Sequence, residues 1–188
     1  MKRKIALLAA ATALVVAGCG SDDEATTGGA PGNGTDRAFV AAMIPHHESA
    51  VKMAGIAAGL AESDFVRQLA ADITASQTEE ITEMRKEDKQ LAAAGVKPGA
   101  LSIEEHMPMD EDTAMLQNAK PFDAAFIKMM IPHHEGAVEM AKEELEKGSD
   151  PELKTLAQEI IDAQQREIKQ MIEHSKDKDG EDHGSGHG

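Results

Sequence analysis

The chain has 188 residues, of which 41% are hydrophobic and 28% charged, with four Phe, eleven Met, one Cys and neither Trp nor Tyr. A formal charge of −15 argues against nucleic acid as a partner. A single cysteine excludes a disulfide framework and any site built from several thiolates.

Met1-Lys2-Arg3-Lys4 and the apolar run from Ile5 to Ala17 form a basic n-region and a short h-region. The run is too short to cross a membrane as a stable helix, so residues 1–18 read as an export signal. Its end, Val16-Ala17-Gly18-Cys19, resembles a bacterial lipobox, which makes Cys19 the expected lipid-bearing residue and places the protein outside the cytoplasm, anchored to the cell membrane. Loss of the signal takes three of the 19 basic residues and leaves 16 against 34 acidic ones. Residues 19–35 lack apolar periodicity and are expected to be a flexible tether.

From Asp36, read as an N-cap, apolar residues recur by threes and fours through Phe39, Met43, Ala50, Met53, Ala54 and Ala57, which predicts a helix. A break at Ala61-Glu62-Ser63-Asp64 precedes a second stripe at Val66, Leu69, Ala70, Ile73, Gln77, Glu80, Ile81 and Met84. The whole unit then returns. Met43-Ile44-Pro45-His46-His47-Glu48 recurs 87 positions on as Met130-Ile131-Pro132-His133-His134-Glu135, and residues 36–84 laid on 123–171 without a gap match at 20 of 49 positions. Between the copies, the link 85–122 is rich in Gly, Pro and acids and long enough for a crossover. Residues 176–188 are expected to be a disordered tail, leaving 36–175 as the domain. Strand signals are missing, and two helical hairpins that cannot each bury a stripe predict an all-α four-helix bundle.

Pro45 and Pro132 fall inside the first helix of each copy, each removing one N–H from the ladder and predicting a bend. At about 100° per residue, His46 and His47 lie to either side of Ala50, so both flank the inner face, and the small Ala50 and Ala54 leave room for imidazoles from the other copy. Met43 stands one turn earlier, and Met53 and Met84 add thioethers. Imidazole suits copper, zinc or iron, and thioether shifts the preference toward Cu(I) and Ag(I). Gln77 and Glu80, repeated as Gln164 and Glu167, are polar groups on an apolar stripe and require partners. The glutamates can ligate a metal or accept the second N–H of a ligating histidine, and the glutamines serve behind them. A metal-free hydrogen-bonded core built from the same residues is the competing account. Glu48 and Glu135 fall off the inner face.

With Phe-x-x-x-Met-Ile-Pro-His-His-Glu-x-Ala-Val-x-Met-Ala in both copies and Gln-x-x-Glu-Ile-x-x-Met after each, the chain resembles the domain of unknown function 305 family over essentially all of 36–171. That resemblance implies a ferritin-like bundle, export, and kinship with copper-binding members of the CopM type. It carries ligand roles onto His46, His47, His133 and His134, with Met43, Met53, Met130 and Met140 beside them. In the link, His106, Met107 and Met109 match short His/Met copper motifs. The Glu-x-x-His pattern of di-iron bundles is missing from both histidine pairs. The expectation is therefore a lipid-anchored metal-binding protein, with Cu(I) favoured over silver, zinc or iron, serving sequestration or delivery rather than catalysis. A dinuclear metal oxidase using Glu80 and Glu167, or a structural, partner-binding bundle, are the alternatives.

Overall fold

A computed structural model describes residues 32–102 and 110–182, with side chains placed over 32–102 and 113–177. The export signal, Cys19, His106, Met107, Met109, His183 and His187 lie outside the described residues. Five helices follow in order: α1 (Gly34–Leu60), α2 (Asp64–Ala93), α3 (Asp110–Asn118), α4 (Phe122–Lys147) and α5 (Pro151–Asp182). Among the described residues there is no strand, and no helix is long and apolar enough to cross a membrane.

The starts of α1, α2 and α5 have a local cause. Asn33, not Asp36, caps α1: its side-chain oxygen accepts from the Thr35 and Asp36 N–H groups at 2.7 and 3.3 Å, while the Asp36 carboxylate accepts from the Asn33 N–H in a capping box. The expected tether through residue 35 is thus too long at its end, because a polar Asn-Gly-Thr stretch reads as loop although Asn is a strong cap. Ser63 caps α2 through the Val66 N–H, and the Asp150 carboxylate accepts from Glu152 and Leu153 at the start of α5, with Pro151 in its first turn. Pro45 and Pro132 are interior to α1 and α4, which run through them unbroken.

Helix α2 continues nine residues past Met84, so the link is shorter than 85–122. Leu91 is buried in the core, and α2 ends just before Gly95, whose φ of 78° turns the chain away with the Gly95 N–H on Ala92 and the Val96 N–H on Leu91. Those two bonds form a Schellman ending. At the far end α5 runs to Asp182, past the expected boundary of the tail at 176.

Helix α1 packs on α2, α4 packs on α5, and α1 and α4 face one another. Gly99 donates to Gly34 at the start of α1, whereas the N-terminus of α4 meets the C-terminus of α1, so the link crosses the length of the bundle and α3 packs on both α1 and α4. This single long crossover gives a ferritin-like bundle. Its core has two parts, and each draws on α1, α2, α4 and α5. One holds Phe39, Met43, Met84, Leu91, Met140 and Leu156; the other holds Met53, Ile73, Phe122, Phe126, Met130 and Met171. Neither hairpin owns a core, which is why the two copies must fold as one unit.

A pair of aspartates ties the copies together at opposite ends. Asp36 of α1 accepts from the Ser149 and Asp150 N–H groups at 3.0 and 2.8 Å, in the turn between α4 and α5. Its counterpart Asp123 accepts from the Glu62 and Ser63 N–H groups at 2.8 and 2.7 Å, in the turn between α1 and α2. Hydrogen bonds hold both carboxyls below the usual range against the opposing effect of burial. The ends also differ in an ionisable group. Where the first copy has Ala57, the second has Glu144, fully buried beside Asp36. Burial first, and then Asp36, push the Glu144 carboxyl up to about 9, so it is neutral at pH 7.

Candidate metal centre

Helix α1 carries His46 and His47 between Met43 on one side and Ala50 and Met53 on the other; α4 carries His133 and His134 between Met130 and Ala137 in the reverse sense. Because α1 and α4 are antiparallel, the four imidazoles meet at mid-bundle, between the two apolar halves. All four are buried, with 0 to 4% exposure. Gln77 lies between Ile73 and Ile81 on α2, and Gln164 between Ile161 and Ile168 on α5, so both amides belong to the same polar layer.

The inner imidazoles, His46 and His133, pack against each other between the copies with ring centroids 3.8 Å apart and planes tilted by 42°. Within each copy the two rings stand 6.3 Å apart. The outer imidazoles are held from behind. His47 Nε2 lies 2.7 Å from Glu80 Oε2, and His134 Nε2 lies 2.6 Å from Glu167 Oε2. Burial above all pushes the His46 pKa down to about 3. His133 is shifted in the same direction, again first by burial and then by His46. Both inner rings are therefore neutral at physiological pH, the form that offers a lone pair to a metal.

Six imidazole nitrogens have no hydrogen-bond partner: both on His46, both on His133, and Nδ1 on His47 and His134. The four polar amide atoms of Gln77 and Gln164 are equally without partners. Among the described residues no three His, Cys, Asp or Glu side chains converge into a cage on their own. Thioethers lie in each half of the core: Met43, Met84 and Met140 on one side of the layer, Met53, Met130 and Met171 on the other. Imidazole nitrogen and thioether sulfur are both donors of the kind that copper and silver ions take.

The structure brings together His46, His47, His133, His134, Gln77 and Gln164, with Glu80 and Glu167 behind the outer histidines. Met43 and Met140 pack in one half of the core, and Met53 and Met130 in the other. Glu48 faces outward to Arg85. The sequence reading did not single out Glu144 or the crossed roles of Asp36 and Asp123. The recurrence of the aspartate in both copies was a usable signal for the latter. Glu80 and Glu167, the carboxylates of the oxidase alternative, each pair with an outer imidazole, at 2.7 and 2.6 Å.

Fold and layer define a class: a duplicated-hairpin helical bundle with paired histidines turned into its centre. The chain belongs to the domain of unknown function DUF305 family, whose model matches residues 16–88 and 36–174. It is similar to CopM in its Cu(I)-bound form, at 37% identity over 76% of this chain and 96% of that one, with a TM-score of 0.64. CopM is also solved in Cu(II)-bound, silver-bound and apo forms. A DUF305 fragment from Deinococcus radiodurans matches at 31% identity, over 76% of this chain and 95% of that one, with a TM-score of 0.63. Uncharacterized protein L153 of Acanthamoeba polyphaga mimivirus matches at 43% identity over 49 residues, which span 26% of this chain and only 32% of that protein.

Proposed function

We propose that this protein is an exported, lipid-anchored binder of Cu(I) or Ag(I), holding the cation through His46, His47, His133 and His134 with thioethers from Met43, Met53, Met130 and Met140. Its role on this reading is sequestration or delivery, without turnover. The observation that carries the proposal is the unpartnered polar layer. Leaving a buried polar group unsatisfied costs roughly 1–3 kcal/mol. In this layer six nitrogens and four amide atoms lack a protein partner. Such a layer demands partners, and neutral imidazoles beside methionine in a cysteine-free core are donors for a soft cation. Binding of copper and silver by CopM supports the choice of metal over zinc or iron. Export and lipidation rest on the n-region, the h-region and Cys19, and make the membrane a partner through the lipid. The His106, Met107 and Met109 cluster is assigned to cation capture in the link.

The test is metal content and thermal melting of the full chain, reduced and anaerobic, with Cu(I), Ag(I), Zn(II) and Fe(II). A ligand bound only by the folded state stabilises it by about 2.7 kcal/mol at a hundred times its Kd. Cu(I) or Ag(I) should raise the melting temperature, and the chain with all four histidines changed to alanine should lose the effect. No shift with any metal overturns the proposal and leaves a polar core satisfied by water.

A further inference from the structure

The outer and inner histidines of the layer are not equivalent. His47 and His134 are each 0% exposed at the side chain, and each meets a carboxylate that is itself 15 or 16% exposed. In both copies the same nitrogen, Nε2, carries that bond, while Nδ1 is buried and unpartnered. His46 and His133 have no such partner on either nitrogen.

We infer that Glu80 and Glu167 are positioning residues that hold His47 and His134 as their Nε2–H tautomers, so that Nδ1 is the donor atom each presents to the cation. This rests on the functional reading above. A carboxylate can only accept a hydrogen bond, so the proton on the Glu80 to His47 contact belongs to Nε2. A second proton on Nδ1 would be a buried N–H without an acceptor, which the surroundings do not provide. The two ring nitrogens diverge, so an Nε2 turned toward Glu80 on α2 leaves Nδ1 facing away from that carboxylate, within the buried layer. Which nitrogen ligates is set by the bond the other one makes.

The carboxylate therefore acts through the imidazole and does not ligate. Its partial exposure places it where the buried layer comes closest to solvent. The inner pair keeps both nitrogens uncommitted, which divides the layer into two fixed donors and two that can choose either edge.

The experiment is long-range proton–nitrogen NMR on the full chain, first metal-free and then with Ag(I), whose nuclear spin couples to a bound nitrogen. In the metal-free protein His47 and His134 should show a protonated Nε2 and an unprotonated Nδ1, and silver coupling should appear on Nδ1. A protonated Nδ1, or silver coupled to Nε2, overturns the inference. An Nε2–H tautomer with no silver coupling on any imidazole overturns the functional reading, and the donor role with it, while leaving the tautomer assignment in place. Glu80→Leu with Glu167→Leu should release the tautomer and weaken Ag(I) binding about 10- to 100-fold. Glu80→Gln with Glu167→Gln keeps an acceptor oxygen and should stay within a few-fold of the parent. Equal losses in both pairs would contradict a positioning role.

Discussion

Glu144→Gln should make the protein more stable at neutral and mildly alkaline pH, and less sensitive to pH. Below about pH 4.5, the ordinary value for this group, the Glu144 carboxyl is protonated in both folded and unfolded chains and contributes no slope. Between there and about pH 9 the unfolded chain ionises Glu144 while the folded chain keeps its proton. Unfolding then releases a proton, and stability falls as pH rises, by at most about 1.4 kcal/mol per pH unit. By pH 7 the full effect is about 3 kcal/mol, which relaxation of the turn around the buried carboxyl reduces to about 2 kcal/mol. Glutamine has the same shape without the ionisation, so the variant should melt about 4–8 °C higher at pH 7 and match the parent near pH 4.5. Asp36 acts in the opposite sense: its folded carboxyl is lowered, so its stabilisation is present above its ordinary pKa and lost as pH falls through the acid range. The assay is metal-free thermal melting of both chains from pH 4 to 9. Parallel pH profiles would show that Glu144 ionises normally in the fold and would refute the reasoning.

Asp36→Ala leaves the Asn33, Ser149 and Asp150 N–H groups without their acceptor and should cost about 3 kcal/mol or more, whereas Asp123→Ala strands two N–H groups at a half-buried site and should cost about 2 kcal/mol. The ranking is read by denaturant unfolding, and loss of the Asp36 charge should also weaken the alkaline slope of Glu144. His46→Leu with His133→Leu removes four unpartnered ring nitrogens, so the metal-free protein should gain about 2 kcal/mol or more while its stabilisation by Ag(I) is lost. A variant that is less stable without metal and still responds to silver would contradict the assignment of the inner pair.

The stripes that predict helices are local, depending only on residues three and four apart, and they place α1, α2, α4 and α5 in the right segments. Their ends were harder to read. The repeat stops matching at Met84, but Leu91 and the Gly95 ending carry α2 onward, because capping and core contact outlast sequence similarity. The inward facing of the histidine pairs follows from one helical wheel. Which nitrogen each uses does not, since the partners Glu80 and Glu167 lie 33 residues away on another helix.

By itself the sequence determined that there are two copies, that each is a helical hairpin, and that each turns two histidines and its methionines inward. Periodicity and repetition hold those facts within single segments of chain. Tertiary structure alone decided that His46 packs against His133, that Asp36 and Asp123 each secure the other copy's turn, and that Glu144 keeps its proton. Each of these depends on how one hairpin is rotated and aligned against the other, over separations of 60 to 114 residues between Asp123 and Ser63 and between Asp36 and Asp150. That alignment is set by packing side chains from four helices into two shared cores.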